Sequence, residues 1–427
     1  MIIKKNGLGG DDRALEIIIQ GKKKLNGEIE ISSSKNAILP IIAASILTDE
    51  KIIINKVPDI KDVAIITQII KELGSQVEQK EKQLLFQNIA LENYPPYELV
   101  RQMRASFLLM GPLLTRYGNV RLSLPGGCAI GNRPIDLHLK GFHAMGADIS
   151  FRGGDVIARA KQLKGQHIYL DYPSVGATEN IIMAAILAEG TTYIENAALE
   201  PEIVDLANFI NKMGGIISGA GSNVIKIQGV KKLYAAEYTP IPDRIEAGTY
   251  MLAVAASGGQ ALIKNIIPEH LKAISAKLEE SGAEIIEGNN HLIIKREANI
   301  KPIYIKTLPY PGFPTDMQAQ FMAYLSYANG SSVISESVFE NRFMHVQELL
   351  RMGADIKIEG KTAIIKGKKE LTGAHVHATD LRAGAALIIA GLAANGKTIV
   401  SGNEHIRRGY ENISQKLNAL GANIQEL

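Results

Sequence analysis

A step of small residues recurs six times along the chain at nearly constant spacing. The glycines of these steps are separated by 72, 68, 68, 71 and 68 residues. They are Gly74, Gly146, Gly214, Gly282, Gly353 and Gly421. A period this regular predicts six copies of one supersecondary unit. An amphipathic pattern precedes each glycine, so we expect a surface helix capped by a left-handed glycine, followed by two short strands joined by a turn, as in 283–294.

Each unit also contains a second segment that is apolar on every side. These segments are 37–47, 105–114, 181–188, 247–256, 317–328 and 383–394. At about 8 to 12 residues they are too short to cross a bilayer, so we expect them to form buried helices. The combination predicts an α/β fold in which the strands lie outside a helical core.

The two ends of the chain indicate how the units are grouped. The sixth unit stops after one strand, at 422–427, and no partner strand follows it. We expect that partner at the N-terminus, because 15–25 resembles 362–371, which follows the turn of the fifth unit. The proline-bearing stretch 238–243 is then the return crossing of an inserted globule. The predicted globules are 1–34 together with 243–427, and the inserted 35–242.

The length and composition limit the number of domains, the cellular compartment and the kinds of partner. A length of 427 residues predicts about two or three domains, each with its own core. A single cysteine excludes an internal disulfide and favours a reducing cytoplasm. The 47 basic and 44 acidic residues give a net charge of +3 without a long basic run, which disfavours nucleic acid as a partner. No segment approaches about 20 apolar residues, so no membrane partner is expected, and nothing implies an oligomer.

The single cysteine, Cys128, lies in the glycine-rich segment 124–134. Glycines free the backbone to fold over a ligand, and Arg133 would help to hold a thiolate or an anionic substrate. A lone cysteine is often a small buried apolar residue. The flanking Pro-Gly-Gly and Gly-Asn-Arg-Pro sequences are unlike a core strand or helix, so we interpret the segment as a loop with a reactive thiol.

Polar residues gather just before the buried helices. They include Lys35, Asn36, Arg104, 178–180, Asp243, Arg244, Thr315, Asp316, Thr379, Asp380 and Arg382. Helix N-termini attract anions, so bundled helices in two facing globules predict an anion-binding cleft. About half of the Thr, Asp and Asn residues are equally explained as ordinary N-caps. Capping does not require the cations Lys35, Arg104 and Arg382.

Eight motifs together resemble those of the UDP-N-acetylglucosamine 1-carboxyvinyltransferases, which belong to the EPSP synthase superfamily. The motifs are 33–37, 103–106, 124–134, 173–180, 313–320, 339–343, 378–383 and 407–411. The resemblance runs from about residue 15 to the C-terminus, and 1–14 has no counterpart in it. It implies two inside-out α/β barrel domains, each of three repeated βαβαββ-like units around buried helices, with a cleft between them.

The resemblance also implies a reaction. The enolpyruvyl group of phosphoenolpyruvate passes to the 3-hydroxyl of UDP-N-acetylglucosamine by addition and elimination, and phosphate leaves, in the first committed step of peptidoglycan synthesis. The partners are these two small molecules, and no cofactor or metal is implied. Fosfomycin is expected to alkylate the loop cysteine.

The site residues are carried over from matching motifs. Cys128 matches a general acid that also forms a covalent adduct, and Asp316 matches a carboxylate at the sugar hydroxyl, which is a plausible base. Lys35, Arg133 and Arg408 match cations around the phosphate and carboxylate. The implied substrate-binding residues are Lys35, Asn36, Arg104, Arg133, Pro134, Asp136, Ser174, Val175, Gly176, Asp316, Val338, Asp380, Arg382 and Arg408.

Two other functions are compatible with this fold. One is that of a 3-phosphoshikimate 1-carboxyvinyltransferase, although 124–134 and 132–136 resemble the nucleotide-sugar branch. The other is a catalytically silent regulatory paralogue, against which the joint presence of the five catalytic residues argues. A histidine near the expected nucleotide site, His138, is interpreted as structural rather than as a nucleotide contact.

Overall fold

The computed structural model describes residues 16–124 and 135–427. Its α-helices are α1 (Lys35–Ala44), α2 (Lys61–Glu72), α3 (Tyr97–Val100), α4 (Met110–Tyr117), α5 (Asp136–Ala144), α6 (Val175–Ala185), α7 (Pro201–Lys212), α8 (Arg244–Ser257), α9 (Lys272–Glu280), α10 (Gln318–Leu325), α11 (Val346–Arg351), α12 (Leu381–Ala393), α13 (Asn403–Ile406) and α14 (Ile413–Ala419). Short 3-10 helices are Ser45–Leu47, Arg104–Leu109, Pro268–Leu271 and Thr315–Met317.

The strands are short and numerous. They are β1 (Ile17–Gln20), β2 (Asn26–Glu30), β3 (Ile52–Ile54), β4 (Gln76–Lys80), β5 (Gln83–Gln87), β6 (Asn119–Ser123), β7 (Asp148–Arg152), β8 (Asp155–Arg159), β9 (His167–Tyr169), β10 (Thr191–Glu195), β11 (Ile216–Ser218), β12 (Val224–Gln228), β13 (Ala236–Tyr238), β14 (Gln260–Lys264), β15 (Glu284–Glu287), β16 (His291–Lys295), β17 (Tyr304–Lys306), β18 (Ser331–Ser335), β19 (Asp355–Glu359), β20 (Thr362–Lys366), β21 (His375–His377), β22 (Lys397–Ser401) and β23 (Asn423–Glu426).

The sixfold repeat is present as predicted. The six step glycines follow α2, α5, α7, α9, α11 and α14, and all have φ between 91° and 107°. L side chains rarely adopt such a backbone conformation, so glycine ends each surface helix at little cost. Five of these helices lead into an antiparallel strand pair, as in β15 and β16, where Ile285 faces Ile294.

Within the described residues, the strands form six small sheets. Three contain strands of 35–242, in the orders β13-β3-β5-β4, β6-β8-β7 and β11-β12-β10-β9. The other three are β15-β16-β14-β2, β17-β18-β20-β19 and β21-β22-β1-β23. Each four-stranded sheet contains two antiparallel pairs and one parallel pair at one edge, as in β15-β16-β14-β2, and the parallel pair requires a crossover connection. The predicted α/β fold class is confirmed.

The N-terminal strand completes the last unit, as predicted. β1 pairs antiparallel with β22 on one side and with β23 on the other. β20 lies in the same way between β18 and β19 in its own sheet, so β1 and β20 occupy equivalent positions. β2 pairs in parallel with β14, so both N-terminal strands belong to sheets of the C-terminal part of the chain.

The buried apolar side chains of the described residues form two separate clusters. One extends over 38–233 and is centred on α1, α4 and α6. The other combines 17–31 with 245–424 and is centred on α8, α10 and α12, which pack against each other. The apolar helices thus lie inside and the sheets outside, because helices without a polar face must be covered on every side. The globule boundaries at 34 and 242 stay a prediction, which this division of the core favours.

The two chain crossings between these parts lie side by side. Ser33 and Pro242 form an antiparallel bridge, Ser34 N donates to Ile241 O at 2.7 Å, and Asp243 N donates to Ser32 O at 2.9 Å. We call the contacts between 35–242 and the rest of the chain the seam. Among the described residues, no helix combines the length and apolar character that a membrane span requires.

Candidate active site

Asp316 lies in the 3-10 helix that precedes α10, where two guanidinium groups bind it. Its Oδ1 accepts a hydrogen bond from Arg342 Nη2 and its Oδ2 accepts one from Arg382 Nη2, both at 2.8 Å. The arginine side chains are 3% and 5% exposed, whereas that of Asp316 is 26% exposed. Burial opposes ionisation, but Arg382 and Arg342 outweigh it and hold the pKa of Asp316 well below its ordinary value. The predicted base is therefore a firmly ionised carboxylate on a partly exposed side chain.

A buried carboxylate, Glu336, fixes the segments around Asp316. Its Oε2 accepts from Thr315 Oγ1 at 2.9 Å, and its Oε1 accepts from Thr307 Oγ1 and from the backbone N of Val338, both at 2.8 Å. Glu336 is 1% exposed. Because one carboxylate binds both the turn of Asp316 and the segment of Val338, these two predicted site segments are held at a fixed separation.

Asp380 caps α12, the helix that carries Arg382. Its Oδ1 accepts from the backbone N of Arg382 at 2.8 Å and from that of Ala383 at 3.1 Å. The guanidinium of Arg382 also donates to Tyr410 Oη at 3.1 Å. Arg382 therefore has its backbone fixed by a cap and its side chain fixed at two points. Asp380 is therefore an N-cap of α12, which is the alternative explanation that the sequence allowed for the polar residues before the buried helices.

Asp62, near the start of α2, binds two of the predicted cations at the seam. Its Oδ2 lies 3.2 Å from Lys35 Nζ, and its Oδ1 accepts from Arg408 Nε at 2.9 Å. The side chain of Asp62 is 1% exposed. Burial would raise its pKa, but Lys35 and Arg408 lower it below the ordinary value. Arg408 is 346 residues away in sequence, so this pair joins the two parts of the chain.

Lys35 connects the two carboxylate centres. Its ammonium binds Asp62, and its charge also helps to lower the pKa of Asp316. Its backbone N donates to Asp243 Oδ2 at 3.1 Å, which ties the start of α1 to the cap of α8. Lys35, Arg408, Asp316 and Arg382, predicted from sequence, thus lie in one charged region at the seam.

The predicted nucleotide-sugar residues that the structure describes lie at the starts of helices in 35–242, apart from Val338. Ser174 caps α6 by accepting from Ala177 N at 3.3 Å, and Val175 and Gly176 form its first turn. A Cβ on Gly176 would lie 3.3 Å from the ring of His138 in α5. Asn36 lies in the first turn of α1 and Asp136 begins α5. Arg104, another predicted substrate-binding residue, begins the 3-10 helix before α4.

The residues 178–180 do not open a helix as predicted, because α6 begins three residues earlier at its Ser174 cap. Asn180 instead lies inside the core, where its Oδ1 accepts from Gly111 N at 2.7 Å and its Nδ2 meets His138 Nδ1 at 3.0 Å. His138 is buried and edge-on to Phe107. Burial, with the charge of Arg104, lowers the pKa of His138 to about 3, so its ring is neutral. Its contacts are those of a structural histidine.

Three predicted site residues, Cys128, Arg133 and Pro134, lie outside the described residues. Two important residues were not predicted. Arg342 lies within the motif 339–343, so its position was visible but its role as a partner of Asp316 was not. Asp62 resembles an ordinary acidic residue in the first turn of a surface helix, and no local signal distinguishes it. Within 16–124 and 135–427, no group of three or more His, Cys, Asp or Glu side chains could hold a metal ion.

Comparison with known proteins identifies relatives over nearly the whole chain. The family model of EPSP synthase (3-phosphoshikimate 1-carboxyvinyltransferase) matches residues 19–417. The chain is 56% identical to UDP-N-acetylglucosamine 1-carboxyvinyltransferase 1 of Caldanaerobacter subterraneus subsp. tengcongensis, over 96% of this chain and 99% of the relative. It is 55% identical to UDP-N-acetylglucosamine 1-carboxyvinyltransferase 2 of Carboxydothermus hydrogenoformans and 53% identical to that of Clostridium tetani, over 96% of this chain and 99% and 100% of those relatives.

Solved structures share the fold. The enolpyruvyl transferase NikO of Streptomyces tendae aligns with a TM-score of 0.86 at 24% identity, over 96% of this chain and 98% of that one. An EPSP synthase of Acinetobacter baumannii aligns with a TM-score of 0.76 at 18% identity, over 97% and 100%. The sequence relatives, the family model and the repeated α/β architecture agree. The chain belongs to the EPSP synthase family and, within it, to the UDP-N-acetylglucosamine 1-carboxyvinyltransferases.

Proposed function

We propose that this chain transfers the enolpyruvyl group of phosphoenolpyruvate to the 3-hydroxyl of UDP-N-acetylglucosamine and releases phosphate. The observation that carries the proposal is the identity of 53–56% to carboxyvinyltransferases named for this acceptor, over 96% of the chain. The reaction is the first committed step of peptidoglycan synthesis, and hence serves cell-wall growth, cell shape and division. A cytoplasmic location agrees with the single cysteine.

The reaction needs two proton movements and a site for a substrate with two anionic groups, a phosphate and a carboxylate. One proton reaches the methylene carbon of phosphoenolpyruvate, and another leaves the attacking hydroxyl. We assign the first to Cys128, which also forms the covalent adduct, and the second to Asp316. Lys35, Arg133 and Arg408 hold the phosphate and carboxylate groups. The convergence of Lys35 and Arg408 on one carboxylate supports their assignment to one anion.

The geometry of Asp316 limits how it acts as a base. With both oxygens bound to guanidinium groups it is a poor proton acceptor. The acceptor hydroxyl would take the exposed face of the carboxylate, and a substrate anion would draw Arg382 or Arg342 away from it. Asp316 would then become more basic only when both substrates are bound, which limits proton removal to the ternary complex.

The acceptor binds, in this proposal, across the cleft between the globules 1–34 with 243–427 and 35–242. Its contacts are assigned to Asn36, Arg104, Pro134, Asp136, Ser174, Val175, Gly176, Val338, Asp380 and Arg382. The start of α6 supports this, because the N-terminus of a helix attracts an anion such as a diphosphate. Glu336 supports it from the other side by fixing Val338 relative to Asp316.

The test is phosphate release from phosphoenolpyruvate with one of two acceptors. We expect release with UDP-N-acetylglucosamine and none above background with shikimate 3-phosphate. Release with shikimate 3-phosphate alone would mean that shikimate 3-phosphate, and not UDP-N-acetylglucosamine, is the acceptor. No release with either acceptor, in protein that binds UDP-N-acetylglucosamine, would instead identify a silent paralogue.

A further inference from the structure

Asp62 binds the same cations that the proposed function assigns to the substrate anion. One oxygen, Oδ2, is 3.2 Å from Lys35 Nζ and 3.4 Å from Arg408 Nη2. The other, Oδ1, is 2.9 Å from Arg408 Nε. Both oxygens are therefore engaged by these two residues, and at 1% exposure the carboxylate has almost no access to water.

The backbone around Asp62 fixes this carboxylate in position. Lys61 N donates to Arg407 O at 2.8 Å, which joins the first residue of α2 to the residue before Arg408. Asp62 also lies in the first turn of α2, where the helix dipole favours negative charge. The carboxylate is thus held ionised and in register with Arg408 across the seam.

An anion that bound Lys35 and Arg408 would compete with Asp62 for the same N–H donors. The N–H donors that already bind Asp62 must be shared with the ligand or exchanged for it. Inorganic phosphate, as the product, would meet the same competition as the phosphate of the substrate. Binding substrate and product equally tightly would not accelerate turnover, so a weakened phosphate site is an advantage.

We propose that Asp62 is a positioning residue that acts as an internal counter-anion: it orients Lys35 and Arg408 and competes with phosphate for them, which promotes product release. This rests on the proposed function only in assigning those two cations to the substrate anion. The role is distinct from that of Asp316, which binds a different pair of cations.

The test is binding of inorganic phosphate to Asp62→Asn by calorimetry, with UDP-N-acetylglucosamine at saturation. Asparagine keeps the shape and removes the competing charge, so phosphate should bind about tenfold more tightly than to wild type. In steady state kcat and the KM for phosphoenolpyruvate should both fall. A purely structural role would leave the affinity for phosphate unchanged or weaken it, and either result would overturn the proposal.

Glu411→Gln is the matched control. Glu411 also joins the two parts of the chain, accepting from Asp59 N at 3.0 Å and lying 3.1 Å from Lys82 Nζ. Its carboxylate accepts hydrogen bonds from Ser32 Oγ, Lys82 Nζ and the backbone N of Asp59. We expect the affinity of the Glu411→Gln protein for phosphate to stay within about twofold of that of wild type. Equal tightening in both variants would assign the effect to the seam as a whole and contradict the proposal.

A structure of the wild-type protein with inorganic phosphate tests the same competition without a variant. With phosphate bound at Lys35 and Arg408, at least one of their contacts to Asp62 should lengthen beyond hydrogen-bond distance. Intact contacts in the presence of phosphate on these residues would refute the counter-anion role. Failure of wild type to release phosphate from phosphoenolpyruvate would refute the proposed function instead, so the two ideas fail separately.

Discussion

At the scale of single residues, the candidate site consists of two carboxylates that each bind two cations. Asp316 holds Arg342 and Arg382, and Asp62 holds Lys35 and Arg408. Arg342, Arg382 and Asp62 are nearly inaccessible to water, and a buried charge without its partner is costly, so these ion pairs stabilise the fold as well as orienting the side chains. Removing one carboxylate therefore changes both charge and geometry, and activity must be compared with stability in each variant.

The first prediction concerns the base. Asp316→Asn preserves the size of the side chain but removes its basicity, so turnover should fall on the order of 100-fold. The affinity for UDP-N-acetylglucosamine should change little. Phosphate release and calorimetry measure the two quantities.

The control for Asp316→Asn is Asp355→Asn, which removes a carboxylate from an exposed pair with Lys368. Its turnover should match wild type. Near-normal turnover in Asp316→Asn would assign the base elsewhere, and Asp380 would be examined next.

The second prediction concerns the thiol, which the sequence alone supports. The phosphonate of fosfomycin should dock on the cations assigned to phosphate, and the Cys128 thiolate should then open the epoxide. Since the chain has one cysteine, intact-mass measurement should show a single adduct per chain. Cys128→Asp should keep turnover and form no adduct, because a carboxylic acid still donates a proton but is a poor nucleophile. An unmodified wild type would contradict the assigned role of this residue.

At the scale of helices and strands, the buried helices pack closely through glycine. Gly111 in α4 lies against α6, where an added Cβ would be 2.4 Å from the backbone O of Asn180. Gly248 in α8 is also buried, but its Cβ would meet Met317 Cε at 2.9 Å. A carbonyl inside a helix cannot move aside, whereas the end of a methionine side chain can.

The third prediction uses this matched pair. Gly111→Ala should lower the free energy of unfolding by about 3 kcal/mol or more, because α4 and α6 must separate. Gly248→Ala should cost less than about 1 kcal/mol, since gained helix propensity offsets the shift of Met317. Urea denaturation of both variants measures the difference. Equal costs would mean that α6 yields as easily as a methionine side chain.

The elements were largely predictable from sequence because their signals are local. Glycines such as Gly282 end surface helices, and all-round apolar runs such as 383–394 can only be buried helices. The start of α6 was misjudged because Thr178, Glu179 and Asn180 look like helix-start residues, whereas each is buried within the helix. The pairing of Asp62 with Arg408 had no local signal, because contacts across 346 residues depend on the assembled fold.

At the scale of the whole molecule, two apolar cores are joined through polar contacts. The buried clusters do not merge among the described residues, and the seam contains ion pairs such as Arg244 with Glu202 at 3.0 Å. Both side chains of that pair are nearly buried, with exposures of 9% and 3%. Polar contacts between two apolar cores are typical of domains that move relative to each other. Such a movement would allow the proposed cleft to close.

The fourth prediction concerns that pair. Glu202→Gln leaves the guanidinium of Arg244 without its partner charge at the seam, so the free energy of unfolding should fall by about 3 kcal/mol. Glu280→Gln, which breaks an exposed pair with Lys277, should change it by less than about 0.5 kcal/mol. Chemical denaturation compares them. Equal effects would mean that water screens the seam as fully as the outer surface.

The position of β1 between β22 and β23 determines when β1 can pair during synthesis of the chain. β1, the first described strand to leave the ribosome, cannot join its sheet until β22 has emerged, and it gains its second neighbour only with β23. The apolar cluster of 38–233 has all its members long before that moment, so it is able to fold cotranslationally before the N-terminal strands have their partners. The cations of the C-terminal part, Arg382 and Arg408, arrive late as well. A nascent chain therefore acquires its charged site only after Arg408 has emerged, and loss of β23 would leave β1 without one of its two neighbours.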